Sequence, residues 1–173
     1  MVPLASTPIV LVAHPSVPAK SVQELIALAQ ARPGQLNFGS AGTGSGAHMG
    51  GELFRYLTKV NIAHVPYKGV GAAVTDLVGG QVQLVFTTLP SAIAFVKSGQ
   101  LKAIAMASAK RAPAAPEVPT FVESGLSAYL MDYWYGLFAP AGVSKEIIAR
   151  LHAETAKALK APDVNEFIRK EGG

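Results

Sequence analysis

Residues 37–48, NFGSAGTGSGAH, bring four glycines, three hydroxyl side chains and one histidine between a short apolar run and an amphipathic one. Residue types of this kind bind anions through backbone N–H groups and hydroxyls at the start of a helix. Gly42-x-Gly44-x-x-Ala47 matches the relaxed dinucleotide fingerprint and lies between a strand and a helix. Its usual companion is an acidic residue at the end of the next strand, which holds the ribose hydroxyls. Here that strand ends HVPYKG, residues 64–69, without a carboxylate, and alanine stands in place of the strict third glycine. The Gly-Lys-Ser/Thr ending of a phosphate loop is also missing. Two simpler readings remain. The N–H groups of residues 42–46 and the hydroxyls of Ser40, Thr43 and Ser45 form a cradle for a carboxylate, or the segment is a mobile loop.

Tyr67 and Lys68 end the next strand on the same expected edge, offering a hydroxyl and an ammonium to a carboxylate or carbonyl. Their structural alternative is a loop-packing tyrosine and a surface lysine. Thr87 and Thr88 close the following strand with two more hydroxyls. Of the four histidines, only His48 lies beside the glycine loop, and no pair has metal-ligand spacing. A Ser45–His48 nucleophile pair has no acid positioned beside it, and Gly-Thr-Gly-Ser-Gly lacks the spacing of a nucleophile elbow. With no cysteine in the chain, disulfides, thiolate metal sites and a cysteine nucleophile are excluded. Asp132, Trp134 and Tyr135 stand in an aromatic stretch, where filling a core is the commoner role for a tryptophan.

The elements that must position these residues follow from periodicity and punctuation. TPIVLVAHP, residues 7–15, reads as a buried strand ended by proline. Ser21 and Glu24 form a capping box for a helix whose inner face is Val22, Leu25, Ile26 and Ala29, and Gly34 ends it. QLNFGS is a short strand, and Ala47 to Lys59 is a helix with Met49, Leu53, Phe54 and Leu57 inward. Three further strands, NIAHVPY, QVQLVFTT and LKAIAMAS, alternate with helices over GAAVTDLVGG and PSAIAFVKSG. Such alternation with short connections predicts a mostly parallel sheet flanked by helices. It places the loops 39–46, 66–70, 87–90 and 108–112 along one sheet edge, where ligands of open α/β sheets bind.

Beyond Ser108 the texture changes. AKRAPAAPEVPT reads as an extended surface connection, TFVESG as a short helix and YLMDYWYGLFAP as a strand. Ser144 caps a long helix with an apolar stripe at Ile147, Ile148, Leu151 and Leu159, interrupted at Pro162 and followed by a shorter helix.

The 173 residues suffice for one sizeable core, and 50% hydrophobic against 15% charged residues argues against disorder. A net charge of +4 is a mild excess of base. No Lys/Arg-rich run or aromatic-interleaved basic stripe supports nucleic-acid binding. The first residues lack a basic n-region, and their apolar run is broken by Pro8 and His14, so they read as neither signal peptide nor membrane span.

Taken together, LNFGSAGTGSGAHMGGELF, VNIAHVPYKGVGAAVTDLVGGQVQLVF, LPSA, LKAIAMASAKRAPAAPEVPTFVESGL and YWYGLFAPAGVSKEIIARL closely resemble the Bug/TctC solute receptors of tripartite tricarboxylate transporters. The likeness covers nearly the whole chain in order. It implies a fold like one lobe of a two-lobed type II periplasmic binding protein, with non-catalytic binding of a small carboxylate and no cofactor. It places ligand contacts on Ser40, Ala41, Gly42, Thr43, Ser45 and His48, with Tyr67, Lys68 and Thr87 beside them. Where relatives commonly carry FDN after the strand LVF, this chain has Thr87-Thr88, so the distal end of the ligand is expected to be read differently.

The resemblance also implies that the family's N-terminal lobe has no counterpart here. Residues 11–132 are then the ligand-binding lobe, and 133–173 the crossover strand and C-terminal helices that pack on the other lobe in relatives. Those helices are expected to cover the same chain's sheet or to pack across a homodimer. Partners implied are the carboxylate and membrane transporter subunits. The compartment expected is the periplasm for a chain derived from a full-length receptor, and the cytoplasm for one without a signal. The alternatives are an interaction or dimerisation module that has lost transport, and a nucleotide-binding enzyme using Gly42, Gly44 and Ala47.

Overall fold

The computed structural model describes residues 2–170 of the chain. Its elements are β1 (Val2–Ala13), α1 (Val22–Ala31), β2 (Asn37–Ser40), α2 (Gly46–Thr58), β3 (Ala63–Pro66), α3 (Val70–Val78), β4 (Leu84–Thr88), α4 (Leu89–Lys97), β5 (Lys102–Met106), β6 (Asp132–Leu137), α5 (Lys145–Leu159) and α6 (Pro162–Lys170).

The strands order as β3-β2-β4-β1-β5, with β6 pairing β1 beyond that path. β2 runs parallel to β3 and β4, while β1 is antiparallel to both β4 and β5. Thus β2, β3, β4 and β5 share one direction, and β1 opposes them from the middle of the sheet. This is a mixed sheet in which the expected single direction holds for every strand but the first. Ile9, Leu11, Ala13, Phe38 and Phe86 face α1 and α2, meeting Val22, Leu25, Ala29 and Phe54. Val10, Val12, Val85 and Met106 face α3 and α4, meeting Ala73, Leu77, Leu89 and Ala92. Cover on both faces is why Ile9 through Ala13 is an unbroken apolar run rather than an alternating one.

β1 begins at Val2, well before the expected start. Its first half pairs with β6, from Val2↔Leu137 to Pro8↔Asp132, and its second half with β4, from Ile9↔Thr88 to Ala13↔Leu84. A two-stranded ribbon therefore leaves the sheet at the edge where β2, β3 and β4 end.

Three expectations differ from the structure. Met49 is exposed, because α2 turns Ala47, Gly50 and Gly51 inward beside the expected Phe54, with Leu53 and Leu57 partly buried against the same core. A Cβ on Gly51 would enter the Phe38 ring, and one on Gly50 would lie 3.2 Å from Phe86 Cβ, so the glycines let the helix lie close on the sheet. TFVESG forms turns rather than a helix. Glu123 accepts the Thr120 N–H at 2.8 Å and pairs with Arg111 at 2.9 Å, holding a single turn. The proline-rich connection is not wholly superficial, since Ala112, Ala115 and Val118 join the core over α3 and α4.

Candidate ligand-binding site

The carboxyl ends of β2, β3 and β4, at Ser40, Pro66 and Thr88, lead straight to α2, α3 and α4. Three helix N-termini, with their partial positive charge, therefore gather at one edge. Ser45 caps α2, accepting the His48 N–H at 3.2 Å. No side chain among the described residues caps α3 or α4, whose caps are Gly69, with φ 124°, and Thr88.

Between these ends lies a cavity of about 160 Å³, lined by Ala41, Ala47, Val70, Thr87, Thr88, Ser91, Tyr133 and Tyr135. Thr87 is only 1% exposed, and its Oγ1 has no hydrogen-bond partner among the described residues. A buried hydroxyl left unpaired costs about 1–3 kcal/mol, so one in a residue that lines the cavity is chemically meaningful. Thr88 and Ser91 share a hydroxyl–hydroxyl bond of 2.9 Å beside it. The lining residues carry no ionised side chain.

The glycine loop is held differently from the cradle its composition implied. Ser40, fully buried, accepts the Gly42 N–H at 3.1 Å and meets His64 Nε2 at 2.6 Å. Ser45 Oγ donates to the Gly42 carbonyl at 2.7 Å, and Gly44 N–H donates to His48 Nδ1 at 3.1 Å. Gly42 and Gly44 have φ of 114° and 80°, which glycine adopts freely and which turn the loop back on itself. The hydroxyls of Ser40 and Ser45 and the His48 ring thus brace the loop, while Thr43 is exposed at its tip. The Ser45 hydroxyl points to a carbonyl and a backbone amide, not to an imidazole nitrogen.

Tyr67 N–H donates to the Ser40 carbonyl at 2.9 Å, and its hydroxyl donates to Asp76 at 2.8 Å. Burial, then the bond and charge of Asp76, push the Tyr67 phenol up to about 12, which keeps it protonated. Lys68 is exposed. Of the residues singled out in the sequence, Ala41, Ala47, Thr87, Thr88 and Tyr135 line the cavity together. Ser40, Gly42, Ser45, His48 and Tyr67 build the loop that borders it, and Thr43 and Lys68 lie on the surface.

Sequence reasoning missed Val70, Ser91, Tyr133 and His64, and noticed Tyr135 without giving it a place in the site. Along β6 the side chains alternate, so Tyr133 and Tyr135 face the cavity while Trp134 is 58% exposed and leans on Phe138. That period-two pattern was the available signal. His64 follows from its register opposite Phe38, with which it stacks at 4.9 Å.

A mixed α/β lobe with helix N-termini at one edge, and a two-stranded ribbon departing from that edge, defines a class, the open α/β sheets that take ligands at the carboxyl ends of their strands. The comparisons agree with that class. The chain belongs to the tripartite tricarboxylate transporter receptor family, TctC, whose family model matches residues 1–173. It is 36% identical over 169 residues to the protein BugT of Bordetella pertussis, covering 98% of this chain and 52% of that one. Among solved structures, Rpa4515 of R. palustris with adipate superposes with a TM-score of 0.93 at 33% identity, over 99% of this chain and 57% of that chain. MatC from Rhodopseudomonas palustris with bound malate gives 0.93 at 34% identity, over 99% and 58%. The chain spans about half the length of the curated relatives it matches.

Proposed function

We propose that this chain binds a small carboxylate without transforming it, as the lobe of a periplasmic solute receptor that serves a tripartite tricarboxylate-type transporter. The observation that carries this reading is a cavity where uncapped helix N-termini converge, lined by Thr87, whose buried hydroxyl has no partner among the described residues. A carboxylate oxygen there accepts the hydroxyl and lies in the positive field of α3 and α4. Adipate and malate, bound by the related Rpa4515 and MatC, are the first compounds to try. Residues 11–132 form the ligand-binding lobe in this reading. Residues 133–173 form the crossover that meets an opposing lobe and, through it, the membrane subunits.

Calorimetric titration with adipate and malate tests the reading, with Thr87→Val as the informative variant. Valine keeps the shape of threonine but lacks the hydroxyl. Affinity should fall about tenfold, while unfolding stability stays level or rises by up to about 1 kcal/mol because a buried unpaired polar atom is gone. A wild-type chain silent toward both acids, or a Thr87→Val variant with unchanged affinity, overturns the assignment.

A second reading rests on α5, which buries none of its residues. Its stripe, together with Trp134 and Phe138, offers an apolar surface to another copy of the chain, as an interaction module would. Sedimentation over a dilution series separates the two readings.

A further inference from the structure

We propose that His48 and His64 are positioning residues that clamp the glycine loop only while the pair is not doubly charged and His48 Nδ1 is unprotonated, so that ligand affinity falls as the pH drops through the histidine range. This rests on the carboxylate-binding reading and concerns how the same site is regulated.

The geometry is specific. The His64 ring lies between Phe38, at 4.9 Å, and His48, at 4.2 Å. Its Nε2 stands 2.6 Å from Ser40 Oγ, which in turn accepts the Gly42 N–H. His48, from the first turn of α2, accepts the Gly44 N–H on Nδ1. Two turns of one loop are therefore pinned by two imidazoles in contact with each other.

Protonation acts differently on the two rings. A protonated His64 still meets Ser40, since Nε2–H donates to the hydroxyl oxygen and the hydroxyl turns to the Gly42 carbonyl 3.2 Å away. A protonated His48 has no lone pair on Nδ1, so two N–H groups oppose each other and Gly44 must leave. Charging both rings sets two cations at 4.2 Å between centroids. Burial first, and then His48, hold the His64 imidazole below its ordinary value of 6.5. On α2, Glu52 favours the charged form of His64 and lies 3.8 Å from His48 Nε2, while Arg55 opposes the charged form and pairs with Glu52 at 2.7 Å. β2 and β3 bring no charged side chain to the pair. The sign follows. A histidine depressed in the folded state leaves the unfolded chain binding more protons, so stability is present above 6.5 and is lost as the pH falls below it.

The test compares adipate affinity at about pH 8 and about pH 5.5 in the wild-type chain and in a His48→Asn, His64→Gln double variant. Asparagine can accept the Gly44 N–H and glutamine can meet Ser40, and neither titrates. Protonation of adipate itself cancels between the two proteins. Wild type should lose about fivefold more affinity over this range than the double variant. Equal losses overturn the proposal. A second measurement needs neither variant nor ligand: the Gly44 amide resonance of the wild-type chain should titrate with the histidine rings. A Gly44 amide unmoved across the range overturns the clamp. Should adipate and malate fail to bind at every pH, the carboxylate reading falls, and Gly44 still decides whether the clamp exists.

Discussion

α1 and α5 begin alike and end in different surroundings. Ser21 and Ser144 each cap their helix through the hydroxyl, to Glu24 N–H and to Ile147 N–H. Each helix also carries an apolar stripe. α1 buries Val22, Leu25 and Ala29 against the sheet, whereas α5 buries nothing. The same contrast separates residues 9–131, which hold nearly all the buried hydrophobic side chains, from residues 132–170. Local sequence decides whether a helix starts and which face is apolar. Whether that face is covered depends on what lies across from it.

The largest effect expected from this contrast falls on Phe54. It is fully buried on α2 and meets Phe86 at 5.7 Å, Phe121 at 6.1 Å and Tyr129 at 6.3 Å between ring centroids. The buried Tyr129 hydroxyl also donates to the Gly50 carbonyl at 2.8 Å, so the cluster fixes α2 against the chain that returns from β5. Phe54→Ala should cost about 3–5 kcal/mol in urea unfolding, the range of buried aromatic truncations. A loss under about 1 kcal/mol would mean that this region is as loosely packed as the C-terminal one.

A matched pair of small insertions sharpens the comparison. A Cβ on Gly51 runs into the Phe38 ring and a Cβ on Gly46 into the Tyr133 ring. Phe38 is sealed between Phe86 and His64 and has nowhere to move. Tyr133 lies half-buried on β6, stacked on the exposed Tyr135 at 6.3 Å, and can swing outward. Gly51→Ala should therefore cost about 1–3 kcal/mol, as overpacked cores do, and Gly46→Ala less than about 1 kcal/mol. Nuclear magnetic resonance of the tyrosine rings should show Tyr133 displaced in the second variant. Equal costs would show that the ribbon is held as firmly as the core.

Legibility in the sequence follows the same line. The strands, the helices up to Lys97 and the edge that gathers their loops were readable because each element's apolar pattern has its partner within the chain. β1 was readable as a buried strand, but not its direction. An apolar run signals cover on both faces and says nothing of parallel or antiparallel pairing. The glycine loop was readable as a place, whereas the uses of its hydroxyls were not. Ser40 and Ser45 turn inward because His64 and the Gly42 carbonyl stand nearby, and register across strands brings them there. On α2, Phe54, Leu53 and Leu57 were placed correctly on the inward side and Met49 was not, because a hydrophobicity pattern gives no weight to Gly50 and Gly51, which close approach makes core residues.

The smallest effect is expected at Leu151, and it tests the C-terminal side of the comparison directly. Leu151 is 45% exposed on α5 and borders an apolar cavity of about 130 Å³ with Val2, Leu137, Phe138 and Ile148. Truncation to alanine removes apolar area that is half in water already, so the transfer term is about 0.5–1 kcal/mol, and an open cavity adds little. Such a small cost belongs to a chain whose α5 faces solvent. If the stripe is covered by a second copy, Leu151 becomes a core residue and Leu151→Ala costs about 2–5 kcal/mol. That cost would then vary with protein concentration, because the covering surface is lost on dilution. Measuring unfolding of wild type and Leu151→Ala at two concentrations about a hundredfold apart distinguishes the cases. A small, concentration-independent difference leaves α5 as an uncovered helix, while a large difference that shrinks on dilution assigns its face to a partner copy.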